Sequence, residues 1–286
     1  MIQTKNINRD LITEMEILVP EAFHIPEKQR RYRFITISGI VILTVISLWK
    51  LQINPFTIFF GIGKFFQMVM MFFPPTHGGW ISEFIYAMGE TLAMAFLGTL
   101  FGFLFAVPLG FLAAKNIIPS TIIHIVLRRF FDVIRGINTL IWALMFVNVA
   151  GLGPFAGIMA IIITDTATLA KLFAESIENV DTSQIDGAKS TGAGPIQIIR
   201  YAFIPQVLPI MLSNVLYFFE SNVRAASILG ILGAGGIGMQ LYDRIRIMNW
   251  PQVFFIIIMI LITVAVIDTI SKEIRKAIVA NPEYRP

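Results

Sequence analysis

The chain has 286 residues, of which 56% are hydrophobic and only 14% are charged, and its mean hydropathy is +0.75. Soluble domains carry about 25% charged residues, so this composition excludes an ordinary soluble enzyme and indicates a membrane protein with several spans. Apolar runs of about 20 residues without alternation of period two favour helices over a closed barrel. The absence of cysteine and the three widely spaced histidines predict no disulfide and no metal site. The net charge of +4 is too small to indicate nucleic-acid binding in a membrane protein.

The N-terminal quarter is expected to hold one span and one interfacial helix. Residues 1–33 form a hydrophilic arm that ends in the basic run KQRRYR, with no cleavable signal peptide, and residues 34–51 form the first span. Basic residues stay in the cytoplasm, so the N-terminus is expected inside. Lys64 and Gln67 interrupt the aromatic and methionine residues of the next segment. An interfacial helix on the outer face is therefore predicted within 34–79, with a tilted second span as the alternative.

Five further spans follow in a core domain that is expected to cover residues 80–277. They are predicted at 81–113, 137–150, 155–173, 203–229 and 248–270, and Pro108 is expected to bend the first of these. Residues 117–136 indicate an amphipathic cytoplasmic helix that continues into the span at 137–150. This topology places most of the 22 Lys and Arg residues in the cytoplasm, together with both termini and the tail 278–286. The fold class is thus an all-α membrane protein with about six transmembrane helices.

A glycine-rich segment matches the pattern of a dinucleotide-binding loop without its context. The pattern G-x-G-x-x-G needs a preceding strand and an acidic residue about 20 positions later. Two spans flank it here, so the sequence favours either a flexible outer loop that could act as a hinge in a gate, or tight backbone packing. No Walker A sequence occurs, so any ATP-driven transport must draw its energy from another subunit. The glycines are Gly233, Gly235, Gly236 and Gly238.

Five ionisable residues fall at or near the predicted membrane depth: Glu90, Asp165, Glu220, Arg224 and Asp268. Such residues usually face a bundle interior or a water-filled path. Glu220 and Arg224 are four residues apart, so they could form an ion pair on one helix face, or Arg224 could give a positive potential to the path of an anion. The histidines do not meet a serine at depth, which argues against an intramembrane protease.

The polar stretch of residues 181–209, DTSQIDGAKSTGAGPIQIIRYAFIPQVLP, interrupts two long apolar segments. Asp181 or Thr182 can cap a short helix that runs to Lys189, and glycines then break it. Pro195 suits the first position of a second short helix. Two short helices at an angle on the cytoplasmic side predict a docking element on which a partner acts, with an ordinary inter-span loop as the alternative.

This stretch resembles the EAA loop of ABC-importer permeases, whose pattern is E-A-A-x3-G-x9-I-x-L-P. Ala188, Gly192 and Pro205 match the pattern, whereas Asp186 replaces Glu and Gly187 replaces Ala. Two further departures are Ala202 and Ile204. Residues 142–160, 171–181, 191–209 and 222–246 are similar to the phosphonate-transporter permease family, and the resemblance covers about residues 80–277.

The resemblance implies a methionine-permease-like fold in the inner membrane, a permease homodimer, two ATP-binding subunits and an extracytoplasmic substrate-binding protein. It implies alternating access for a phosphonate or related phosphorus oxyanion, with no cofactor and no catalysis on this chain. The alternatives are a permease for another small solute such as methionine, a stand-alone channel or secondary transporter, or a membrane scaffold. The residues expected to couple to the ATPase are Asp186, Gly187, Ala188, Gly192 and Pro205. Those expected along the path are Glu220, Arg224, Gly233, Gly235, Gly236 and Gly238.

Overall fold

A computed structural model describes residues 27–52 and 55–280 of the chain. The regular structure in these ranges is helical and no strand occurs in them, which confirms the predicted all-α class. The chain divides into two compact units, Met1–Val69 and Met70–Pro286.

The described part of the first unit consists of helix α1 (Glu27–Lys50) and helix α2 (Pro55–Met70). The basic run that was assigned to the N-terminal arm lies on the first turns of α1. The apolar side chains of α1 are exposed along its length, as expected for a helix that meets lipid. Because α2 has only 16 residues, it is about 24 Å long and shorter than a hydrocarbon core of about 30 Å. This length favours the predicted interfacial helix over a second span.

The second unit is a bundle of nine further helices in the described residues. A π-helical turn (Ile199–Phe203) precedes the helix Ile204–Leu229, and a 3₁₀ turn (Gly230–Leu232) follows that helix, just before the glycine-rich segment. The helices are α3 (Ile81–Ala113), α4 (Thr121–Gly136), α5 (Thr139–Ala150), α6 (Pro154–Glu178), α7 (Thr182–Ser190), α8 (Pro195–Ile198), α9 (Ile204–Leu229), α10 (Gly236–Arg246) and α11 (Trp250–Ala280).

Among the described residues, five helical segments are long and apolar enough to cross a membrane, and a bent pair could form a sixth. The five are α1, α3, α6, the continuous run Pro195–Leu232 that contains α9, and α11. The pair is α4 and α5, which meet at 82°. These numbers agree with the six spans predicted from the sequence.

The bend between α4 and α5 differs from the prediction that the amphipathic helix continues directly into a span. The helix stops at Gly136, and Ile137 and Asn138 adopt extended conformations. The Asn138 side chain accepts a hydrogen bond from the Leu140 N–H at 2.9 Å, so it caps a new helix in a new direction. The break follows from this local cap, which the apolar periodicity does not report.

Small residues allow α3 and α6 to pack closely. Gly98, Gly102 and Gly110 recur on one face of α3, and a Cβ atom at these positions would lie within 2.6–2.8 Å of side-chain atoms of α6. Glycines at this spacing let two helix backbones approach inside a membrane domain. The α3–α6 pair therefore forms a rigid centre against which the other helices of the unit pack.

Candidate coupling element and translocation site

The coupling element (residues 181–209) begins with a well-formed helix cap. Asp181 accepts hydrogen bonds from the Ser183 N–H at 2.9 Å and from the Ser183 hydroxyl at 2.6 Å. Both hydrogen bonds lower the pKa of the Asp181 carboxyl below its ordinary value, and the bond from the Ser183 hydroxyl has the larger effect. Of the two predicted caps, Asp181 is therefore the one that starts α7.

Glycine and proline then redirect the chain. Gly192 has a φ of +79°, a left-handed conformation that side chains disfavour, and its N–H donates to the Lys189 carbonyl at 2.9 Å. Pro195 opens α8, as predicted. The following π-helical turn precedes Pro205, which lacks the N–H that a regular helix would use at that point.

Helix α7 has one packed face and one open face. Ile185 is buried and Ala188 packs partly against the same apolar cluster. On the opposite face, the Asp186 side chain is 69% exposed and pairs with Lys189 at 3.3 Å. A Cβ atom at Gly187 would meet nothing within 4 Å. The open face of α7 thus presents a carboxylate beside an empty helix position, free for a partner to contact.

Gln206 fastens the start of α7 to α9. Its side-chain oxygen accepts from the Asp181 N–H at 3.0 Å, and its side-chain nitrogen donates to the Asp181 carbonyl at 3.4 Å. The same nitrogen donates to the Ala202 carbonyl at 2.8 Å in the π-helical turn. One side chain on the first turn of α9 therefore holds both backbone groups of the residue that caps α7.

Glu178, the last residue of α6, links that helix to α4 and to the α3–α4 connection just before the coupling element begins. Its carboxylate accepts from the Lys115 N–H at 2.9 Å and from the Arg128 guanidinium at 2.7 Å. The buried His124 ring also lies 3.6 Å from it. A cleft of about 510 Å³ opens beside Glu178, between α7, α8 and the α3–α4 connection. The end of α6 that leads into α7 is therefore bound to α4 and to the connection before it.

The glycine-rich segment is packed closely against its neighbours. A Cβ atom at Gly238 would lie 1.9 Å from the Ser227 carbonyl oxygen, and the N-terminus of α10 is held by α3. There the Gly236 N–H donates to Glu90 at 3.1 Å, and the next amide donates to Thr91 at 2.8 Å. Of the two interpretations of this segment, close packing is the one that the geometry favours over a free loop.

Glu220 binds two arginines. Arg224 donates to one of its carboxylate oxygens at 2.9 Å, and Arg275 from α11 donates to the other at 3.0 Å. The Glu220 side chain is only 9% exposed, whereas the Arg224 side chain is 47% exposed. The ion pair expected from the spacing of four is thus present, and a second cation joins it.

A second polar group links three helices inside the bundle. The Asn222 side-chain nitrogen donates to Thr99 on α3 at 2.8 Å and to Asp165 on α6, and all three residues are buried. Polar side chains that hydrogen-bond across helices stabilise packing in membrane domains. This group joins α3, α6 and α9 at adjacent levels of the bundle.

These features suit a transport protein, and comparison with known proteins identifies its class. Residues 106–280 match the family model of the binding-protein-dependent transport system inner membrane component. The chain belongs to this family of membrane components of ABC importers. Membership implies a multi-pass protein of the cell membrane that works with a substrate-binding protein and an ATPase.

Three relatives extend this result. A protein of Stutzerimonas stutzeri that bears the provisional name phosphite transport system permease protein HtxC is 36% identical over 86% of this chain and 87% of its own length. The phosphite transport system permease protein PtxC of the same species is 35% identical over 71% and 74%, respectively. The phosphate-import permease protein PhnE of Mycolicibacterium smegmatis is 34% identical over 89% of this chain, which spans 48% of that relative.

A solved structure shares the fold. The inward-facing MetNI methionine ABC transporter contains a chain that is 24% identical, with a TM-score of 0.62 over 71% of this chain and 99% of that chain. At this identity the likeness concerns the fold alone. It confirms the methionine-permease-like architecture that the resemblance implied.

The structure brings some predicted residues together and separates others. Asp186, Gly187, Ala188 and Gly192 lie on α7 and its C-terminal turn, whereas Pro205 is the second residue of α9. Glu220 and Arg224 adjoin on α9, and the glycine-rich segment lies at the far end of that helix. Several residues that complete these groups were not predicted from the sequence. Asn222 was signalled by its polarity within a predicted span, but nothing local pointed to the others: Thr99, Glu178, Gln206 and Arg275.

Proposed function

We propose that this chain is the permease of an ABC importer that translocates a phosphorus oxyanion such as phosphite, phosphate or a phosphonate. The observation that carries the proposal is the identity of 34–36% with two phosphite permeases and a phosphate-import permease. A D-methionine permease of Haemophilus influenzae is less similar, at 28% identity over 65% of the chain, so a phosphorus oxyanion is favoured over methionine. Family membership likewise favours an energised importer over a stand-alone channel or a scaffold.

In this proposal α7 is the cytoplasmic helix that docks onto the ATP-binding subunit. The open face of Asp186 and Gly187 supports it, because a carboxylate there can meet a basic side chain of a partner. In this proposal Ala188 packs α7 against the apolar cluster, and Gly192 forms the turn at its C-terminal end. Pro205 lies in the first turn of α9, the helix that moves when α7 moves. ATP binding moves α7, and Gln206 carries that displacement to α9.

The expected assembly has two permease chains, two ATP-binding subunits and one binding protein at the outer face. We propose a homodimer of this chain, with pairing to a second permease as its alternative. The alternative has support because Stutzerimonas stutzeri also has HtxE, which is 34% identical to this chain over 56% of its residues. The N-terminal arm and the C-terminal tail are cytoplasmic in this proposal, in accord with their basic residues.

Uptake by cells tests the substrate. Cells that lack the chain should lose uptake of radiolabelled phosphate or of phosphite, and expression of the chain should restore it while leaving methionine uptake unchanged. Restoration of methionine uptake alone would refute the proposed substrate class.

Association with the ATPase tests the coupling helix. Proline fixes φ near −65°, so Gly192→Pro should disrupt the turn and abolish co-purification of the ATP-binding subunit. Gly89→Ala on α3 is the control, because it lies outside the coupling element and a Cβ atom there meets nothing within 4 Å. Retention of the ATPase by Gly192→Pro would refute the assignment of α7.

A further inference from the structure

Arg224 and Arg275 (the arginine pair) share the carboxylate of Glu220. The cluster of these three residues carries more positive charge than a single ion pair does. One carboxylate is shared by two guanidinium groups, so the cluster has a net charge of +1 when all three groups are ionised. Within the described residues, Glu220 is the only carboxylate within 4.0 Å of either guanidinium. One positive charge is therefore left without a carboxylate partner among the described residues.

The surplus charge lies on a spanning helix, where contact between a guanidinium and lipid is unfavourable. Arg224 sits on a helix long enough to span the membrane, and its side chain is 47% exposed. A guanidinium on a spanning helix normally faces water, protein or an anion. Arg275 is 29% exposed, and its Nε donates to the Ser271 carbonyl at 3.4 Å. A guanidinium has five N–H donors, so both arginines keep donors beyond those that bind Glu220 and Ser271.

We infer that the arginine pair is a subsite for a tetrahedral phosphorus oxyanion, with Glu220 as the residue that positions both guanidinium groups. This inference rests on the proposed function and names the residues that would receive its substrate. Guanidinium forks match the oxygen spacing of phosphate-like anions and bind them with charge-assisted hydrogen bonds. Glu220 also keeps the net charge low, so that an anion binds weakly enough to move on, as conduction requires.

Two sources could supply this anion: a translocated inorganic oxyanion, or the phosphate of a membrane lipid. The chemistry of recognition is the same for both. The experiments below therefore separate them by varying the inorganic anion and the lipid independently.

The first experiment measures initial uptake by the intact transporter in cells. Arg275→Gln leaves Glu220 paired with Arg224, so a purely structural ion pair predicts near-normal uptake. The subsite predicts a rise in KM of about tenfold or more, from the loss of charge-assisted hydrogen bonds, at an unchanged amount of chain in the membrane. Arg129→Gln is the matched control, because Asp132 is likewise shared by Arg129 and Lys171. Normal KM in Arg275→Gln would overturn the inference.

Chemical rescue provides a readout that a folding defect would not give. The chain contains no cysteine, so Arg275→Cys introduces a single thiol. Treatment with aminoethyl methanethiosulfonate should restore uptake by returning a positive charge, whereas the negatively charged sulfonatoethyl reagent should not. The unmodified chain with the same partner subunits controls for reaction elsewhere. Equal effects of the two reagents would contradict a role for charge.

A second measurement is independent of transport. The full chain is placed in nanodiscs of phosphatidylcholine, and its Tm is compared in phosphite, phosphate and chloride at equal ionic strength. The oxyanions should raise Tm in the unmodified chain and in Arg129→Gln, but not in Arg224→Gln/Arg275→Gln. A Tm rise that requires phosphatidylglycerol instead would assign the subsite to lipid.

The two proposals can fail separately. If no anion and no lipid distinguishes the unmodified chain from the double variant, the subsite is refuted, whatever the chain transports. If the arginine pair responds to oxyanions while cells show no uptake of phosphorus oxyanions, the proposed function fails and the subsite stands.

Discussion

The contact between Gln206 and Asp181 predicts that Gln206→Ala loosens the coupling helix while leaving the bundle folded. The change removes a hydrogen bond of 3.0 Å and a longer one of 3.4 Å to the Asp181 backbone. A net hydrogen bond contributes about 1 kcal/mol, and the exposed setting of Asp181 lowers the second contribution, which gives about 1–2 kcal/mol in all. Undocked α7 should therefore become about 5–30 times more populated.

Amide hydrogen exchange of the complete transporter in nanodiscs checks this value. The amides of α7 should exchange about 5–30 times faster in Gln206→Ala, with the α3 amides unchanged, because local opening governs their exchange. Gln206→Glu keeps the acceptor for the Asp181 N–H and should show a smaller effect. Gln240→Ala, the same change on α10, should show none. Unchanged amide exchange in α7 would refute the proposed role of Gln206 in holding α7. Equal acceleration of exchange in Gln206→Ala and Gln240→Ala would refute it as well.

Three further predictions concern α7 itself and are measured on the same reconstituted transporter. Gly187→Ala should raise the local stability of α7 by about 0.5–1 kcal/mol, because a Cβ atom meets open space there; slower α7 amide exchange is the expected readout, and faster exchange would contradict it. Gly192→Ala should lower the local stability of α7 by about 1 kcal/mol, because the φ of +79° at Gly192 disfavours a side chain. Equal rates of α7 amide exchange in Gly187→Ala and Gly192→Ala would contradict this effect of the left-handed turn. Since Ser183 lowers the pKa of Asp181, the stabilising cap should be complete above pH 3.8 and lost as the pH falls through the lower folded pKa. Exchange of α7 measured against pH should show this loss in the unmodified chain and not in Asp181→Asn.

Local chemistry made the coupling element predictable. A capping aspartate, a glycine that ends a helix and a proline that begins the next act within a few residues of one another. For the same reason the number of spans followed from apolar run lengths, whereas the break at Asn138 was missed because the apolar pattern continues across it. The folded contacts behaved differently, since they join residues that are 25, 55 and 123 positions apart. No spacing rule in a single sequence pairs residues at those separations.

The charged residues illustrate the same limit. A spacing of four on one helix was enough to predict the ion pair of Glu220 and Arg224. The basic run that contains Arg275 gave no reason to look further, because such runs at the end of a span are ordinarily solvated. Only the packing of α11 against α9 turns one ion pair into a shared carboxylate with a surplus cation. That surplus is the feature that links the arginine pair to an anion.

Helix α9 connects the two candidate sites mechanically. Gln206 lies on its first turn and Arg224 lies 18 residues later, about 27 Å along a helical axis. Beyond Arg224, the Ser227 carbonyl is in close contact with Gly238, so the far end of α9 has little room to move independently. If α9 moves as a unit, a displacement of α7 that pulls on Gln206 carries Arg224 with it. Arg275 belongs to a different helix, so such a shift changes the distance between the two guanidinium groups. ATP-driven motion at α7 would thereby alter the affinity of the arginine pair for an anion without any direct contact between the sites.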